Sequence, residues 1–382
     1  MPALDSSVKY FDSEMAGAPT LNNTAGALLA VLDACLVNGF GMQTASSVVV
    51  TGGVAVATVP STPAVRAEMV VTVAGATPAG LNGDHKVISA NSTTITFDAF
   101  GVADGTATGS ITIKAAAAGW EKAFSGTNLA AYRSLNAQAS AALLKVNDTG
   151  TTAARVVGYE SMTDINTGAG PFPTEAQKAG GGYFQKSSSA AGKKWFIVAN
   201  DRVFYFGVAP YLTYPLAFYL VAFGDICSKK TGDAFRSFLV SNNSDRASGL
   251  SVSSDHFFGA TGAACTTFFP RSYSAIGGAV AVSSLSINGP GGLSGISGYT
   301  FPNPEDNGLM FSQVYAIEGN TVRGHFPGIY TTPFSTINAI PDAQVLDETV
   351  SFAKKMIYRN IGNVGAATGG GVFFDTTGPW QN

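Results

Sequence analysis

The chain has 382 residues and a formal net charge of −3, with 46% hydrophobic and 12% charged residues. The hydrophobic share excludes a disordered chain, and the absence of any Lys/Arg cluster excludes the electrostatic footprint of a nucleic-acid binder. Charge runs at about half its usual share while glycine reaches 45 residues, a balance that suits sheets joined by tight turns and surfaces covered by other chains.

The N-terminus, MPALDSSVKYFDSEMAGAP, has neither a basic n-region nor an apolar h-region, so no secretory signal is expected and synthesis in a cytoplasm is. The longest apolar run, residues 25–37, is too short to span a membrane and carries Asp33. Residues 21–41 predict the one clear helix. Leu28, Leu29, Leu32, Cys35 and Leu36 recur at helical spacing, Asn23 or Thr24 is placed to cap it, and Gly39 and Gly41 stop it. Its apolar face is expected to dock on the rest of the chain.

From 45 to 114 the pattern becomes a series of short strands. SVVVT and VAVATV flank Gly52-Gly53, a two-residue hairpin signal. MVVTVAG, HKVISA, TTITFD and ATGSITIK follow with Gly-, Asn- and Pro-rich links. Five or six strands at this spacing predict a small β-barrel or Ig-like sandwich. The fragment GLNGDHKVISANSTTITFD resembles a module common in phage tail and adhesin proteins.

Residues 115–134, AAAAGWEKAFSGTNLAAYRS, then pose a choice between a helix carrying a catalytic Glu121 and a seam into the main body. Gly119 breaks any long helix, Glu121 has no second acid or histidine nearby, and Lys122 reads as its solvated partner. Trp120, Phe124 and Tyr132 are spaced to anchor the chain in a core, with Ser125–Asn128 as a turn. The seam is the preferred reading.

Beyond it, KKWFIVA, the turn NDR and VFYFGVA predict a hairpin apolar on both faces, and LAFYLVAFGDI another doubly buried strand. FRSFLVS, AVAVSSLSI, LMFSQVYAIE and TVRGHFPG continue the series. Residues 345–362 read as either a helix or a strand, and the tail ends in a strand, a turn and Trp380. The expected fold is mainly β. Residues 1–44 form an N-terminal segment and helix, 45–114 an inserted module, and 115–382 a sheet-rich body of one or two subdomains.

The search for chemistry assigns no catalytic, cofactor-binding or metal-ligating residue. His85, His256 and His325 stand apart, with no HExxH pair, and each reads as a packed or surface histidine. Cys35, Cys227 and Cys265 form no CxxC and no disulfide framework, so buried free thiols are expected. GLSGISGYT misses the nucleophile-elbow spacing, and SSSAAGKKW lacks the upstream glycine of a phosphate loop. DINTG (164–168) and NNSDR (242–246) offer oxygens but read as turns rather than calcium loops. Glu160, Asp164, Glu305 and Asp306 are the acids a glycosidase would need, in unrelated segments. Tyr211, Tyr214 and Tyr299 are the aromatics that would stack on a sugar.

Several segments together resemble a family of virion structural proteins from tailed bacteriophages. They are residues 10–41, GWEKAFSGTNLAAYRS (119–134), residues 146–173, WFIVANDRVFYF (195–206), AFGDI (222–226) and FFDTTGPW (373–380). The resemblance spans essentially the whole chain. It implies a non-enzymatic place in the particle, without a cofactor, and partners that are copies of itself and other virion proteins. The expected place is the tail: tail tip, baseplate or fibre attachment. Capsid decoration or a head–tail collar is the second expectation, and a host-glycan binding module the third.

Overall fold

The computed structural model describes residues 3–212, 215–245, 265–285, 305, 308–332, 340–347, 354–361 and 371–381. His256, Tyr214, Tyr299, Asp306 and residues 292–300 lie outside them. The fold is mainly β, as the composition predicts. The described strands make two sheets, and every pairing between them is antiparallel.

The large sheet is built around the hairpin predicted at 193–209. Strands Lys194–Ala199 and Val203–Ala209 pair with Ile197 opposite Phe206. Tyr219–Asp225 joins next, and both it and Val203–Ala209 are buried along their whole length. Such continuous burial is why these segments carry apolar residues on both faces instead of alternating. Pairing continues through Ser237–Asn242, Cys265–Phe269, Val280–Leu285, Ser312–Glu318 and Thr321–Thr331. It goes on through Gly371–Asp375 and Met356–Asn360 and ends on Val345–Leu346. Residues 354–360 thus resolve the ambiguity at 345–362 toward strand, because Ile357 and Tyr358 stand opposite the phenylalanines Phe374 and Phe373. On the other side the N-terminal strand Lys9–Asp12, which carried no prediction, adds to Lys194–Ala199.

A second arm of the same sheet runs Trp120–Gly126, Leu129–Ser134, Leu143–Asn147 and Ala153–Met162, then Gly168–Phe172 and Gly182–Gln185. Its first two strands correct the reading of 115–134, since they form a hairpin. Its turn is narrower than Ser125–Asn128, because Ser125 and Gly126 are still paired and Asn128 takes the left-handed turn at φ 55°. Trp120 and Tyr132 are buried as anchors, and Phe124 is half-buried. Trp120 meets Phe204 edge-on at 5.4 Å and donates its indole N–H to the Asn200 carbonyl at 2.8 Å.

The small sheet has eight strands between Phe40 and Ala115 and includes the predicted Gly52-Gly53 hairpin, with Thr51 opposite Val54. Its first and last strands, Phe40–Thr44 and Thr112–Ala115, pair with each other, Phe40 facing Ala115. Strand Gly83–Ala90 passes from one half of the sheet to the other at a bulge between Val87 and Ser89. One continuous apolar core runs through both sheets.

The predicted helix spans Ala27–Leu32 and continues as a wider helical turn over Asp33–Asn38. Leu28, Leu29, Leu32, Cys35 and Leu36 are all buried, as their spacing predicts, and Gly39 ends the helix at φ 69°. The cap differs from expectation. The residue before the helix is Gly26, which has no side chain to offer, and neither Asn23 nor Thr24 caps. The Asp148 carboxylate does so from another strand, accepting the Leu28 and Leu29 N–H groups at 2.8 and 3.2 Å.

Candidate functional site

Where the two sheets meet, charged side chains cluster, with Lys9, Asp12, Lys86 and Arg359 buried. Strand Lys9–Asp12 brings Tyr10 and Asp12, and strand Met356–Asn360 brings Arg359. The loop before strand Val70–Ala74 brings Arg66 and Glu68, and strand Gly83–Ala90 brings Lys86. Tyr10 donates its hydroxyl to Asp12 at 2.8 Å and accepts Arg359 Nη1 at 2.6 Å. Arg359 also pairs with Asp342 at 3.0 Å, and its guanidinium lies 4.1 Å from the Phe196 ring centre and 4.7 Å from that of Phe218. Arg66 pairs with Asp12 across the seam.

A second group sits alongside. Lys86, 3% exposed, donates to the Thr376 carbonyl and lies 4.0 Å from Glu68, which pairs with Lys355 at 2.7 Å. Lys9 reaches Asp84 at 3.0 Å. The electrostatics follow from burial. Loss of water pushes the Lys86 ammonium down to about 8, against the pull of Glu68. Burial raises the Asp342 carboxyl above the usual carboxylate range despite Arg359, and raises the Tyr10 phenol out of reach of physiological pH. Two cavities flank the network. One of about 180 Å³ is lined by Tyr10, Glu68 and Ile357, and one of about 280 Å³ by Asp12, Lys194, Asp342 and Arg359.

This arrangement holds segments together. Each carboxylate already accepts from a named donor. Among the described residues no group of three or more His, Cys, Asp or Glu side chains is placed to hold a metal ion, and no helix is long and apolar enough to cross a membrane.

The residues singled out in the sequence are not brought together. Glu121 pairs with Arg133 across its hairpin at 2.8 Å (Nε to Oε1), while Lys122 turns to Asp33 on the helix. The expected Glu121–Lys122 pair is therefore wrong: neighbours along a strand point to opposite faces. Glu160 takes a bidentate contact from Arg271 at 2.7 and 2.9 Å, and Glu305 is an exposed turn residue. Asp164 accepts the N–H groups of Asn166 and Thr167 at 2.7 and 3.0 Å, the turn chemistry expected of DINTG. In NNSDR, Asn243 accepts Lys178 and Thr266, and Asp245 accepts Thr152.

The His85 ring nitrogens face the Asp98 and Leu81 carbonyls at 2.8 and 2.9 Å. Burial lowers His325, which packs edge-on to Tyr315. No disulfide forms among the described residues. Cys35 and Cys265 are buried as expected, and Cys227 is half-buried. Tyr211 is half-buried. The sequence reading missed Tyr10, Lys86, Asp342 and Arg359. For Lys86 and Arg359 the available signal was a charge inside an apolar strand, as in HKV and MIYRN; Asp342 lies in a turn and gave none.

No family model matches the chain, and no curated protein does. Among solved structures, the chain is similar to the phage phi92 endosialidase at 9% identity and a TM-score of 0.16, over 87% of this chain and 51% of that one. The chain thus spans about half the length of that neighbour. A score so low carries neither fold nor activity across.

Proposed function

We infer that this chain is a structural component of a tailed-bacteriophage particle, placed in the tail and working without catalysis through assembly with copies of itself and other virion proteins. The observation that carries the reading is the use of charge at the junction of the sheets: Arg359, Asp342 and Lys355 from the last part of the chain are tied to Tyr10 and Asp12 from the first, and Asp12 and Lys355 to Arg66 and Glu68 beside the small sheet. The resemblance of segments 10–41, 119–134, 146–173 and 373–380 to tailed-phage virion proteins supplies the particle. A row of uncharged residues crosses the small sheet, with Thr106, Val49, Val56 and Thr96 in register and the two valines about two-fifths exposed. Charge depletion of this kind suits a covered surface. Mass spectrometry of density-purified particles is expected to detect the chain at a stoichiometry above trace; its absence from infectious particles overturns the reading.

A second reading, contact with a host glycan, is favoured by one feature. An open groove of about 450 Å³ is lined by Lys145, Asn147, Arg155, Tyr159 and Glu175, which offer donors, acceptors and an aromatic face. Binding of the isolated chain on a glycan array, lost in Tyr159→Ala, supports it, and no binding removes it.

A further inference from the structure

Lys186 and Asp148 form the most deeply buried ion pair among the described residues, each side chain 0% exposed and Nζ 2.6 Å from Oδ1. Lys186 follows strand Gly182–Gln185, and Asp148 follows strand Leu143–Asn147. Nζ donates to the Thr24 carbonyl at 2.7 Å and the Gly150 carbonyl at 2.8 Å. Its remaining position faces Asp148. Nζ lies against Oδ1 as its third contact. Oδ2 is held by two backbone N–H groups, those of Leu28 and Leu29.

We propose that Lys186 and Asp148 condense into a side-chain amide, an intramolecular cross-link between these two strand ends.

The chemistry follows from the geometry. A fully buried pair of opposite charges is expensive, and passing a proton from the ammonium to Oδ1 leaves a neutral amine and a neutral acid. Burial raises the Asp148 carboxyl, against the pull of Lys186 and the Leu28 and Leu29 N–H groups. The two N–H groups of the amine stay on the Thr24 and Gly150 carbonyls, which directs its lone pair at Asp148. The Leu28 and Leu29 N–H groups withdraw electron density through Oδ2 and stabilise the oxyanion that forms when nitrogen attacks Cγ. The reactants are already in contact, which removes the entropic part of the barrier, and no bulk water competes. The Nζ–Cγ bond forms and the Cγ–Oδ1 bond breaks. Nζ gives up two protons in all, and both leave with Oδ1 as one water. Nothing is oxidised or reduced, and no co-reactant is required.

The test is the mass of the full-length chain, purified folded and then measured in denaturant. It is expected about 18 Da below the sequence mass, one water. Trypsin should release residues 146–155 joined to residues 179–193, with no cleavage after Lys186. Lys186→Met should return the full sequence mass and separate peptides. A wild-type chain at full sequence mass overturns the proposal. So does the loss of one water with peptides 146–155 and 179–186 found free, since that places the dehydration elsewhere. The wild-type peptides decide the matter even where the variant does not fold.

Discussion

Lys86 gives the clearest reading at the scale of the residue. Its folded ammonium titrates near 8, below the ordinary lysine value of 10.5. Between those values the unfolded chain binds more protons than the folded one, so this group's contribution to stability rises as pH rises from 8 toward 10.5. The ideal gain is ~3 kcal/mol, as an upper bound for a group this buried. Denaturant titrations at pH 7 and pH 9.5 should show Lys86→Met more stable relative to wild type at pH 7 than at pH 9.5; equal offsets at both would contradict the assignment. Arg359 makes the opposite case. It is buried, pairs with Asp342 and holds Tyr10, so Arg359→Met strands a buried carboxylate. The expected loss is about 3–5 kcal/mol in the same titration.

At the scale of the element, the apolar strands explain what the sequence made legible. KKWFIVA and VFYFGVA pair as their composition predicts because a central strand buried on both faces is apolar at every position. The Gly52-Gly53 hairpin was legible for a local reason: its turn chemistry lies within two residues. The helix cap was not, because its acceptor, Asp148, lies 120 positions from Leu28. Nor was the charged seam, whose partners Tyr10 and Arg359 are separated by 349 positions. Strands at 129–134, 143–147 and 153–162 escaped notice because Ala, Arg and Lys interrupt their apolar pattern. Glycine marks a packing limit inside one of the legible strands. A Cβ at Gly207 would run into the Phe196 ring, so Gly207→Ala should destabilise the chain by about 1–3 kcal/mol, read from the denaturation midpoint.

At the scale of the whole molecule, the small sheet pairs only with itself among the described residues, and its terminal strands meet at Phe40 and Ala115. Replacing residues 45–114 by a short Gly/Ser link is therefore expected to leave a chain that still folds, with unchanged near-ultraviolet circular dichroism from the Trp195 and Trp380 surroundings. It should melt at a lower temperature, since Asp12 and Lys355 lose their partners Arg66 and Glu68. A chain that loses all cooperative melting would show that the shared core, rather than the seam, makes the two sheets one unit. The central claim for the molecule is the proposed virion role. Particles assembled from a gene carrying a peptide tag at the C-terminus of this chain, labelled with gold-conjugated antibody and imaged by electron microscopy, test it most directly. Gold is expected on intact particles, at the tail. Particles that assemble with no gold on head or tail, while the tagged chain stays free in the lysate, would contradict it.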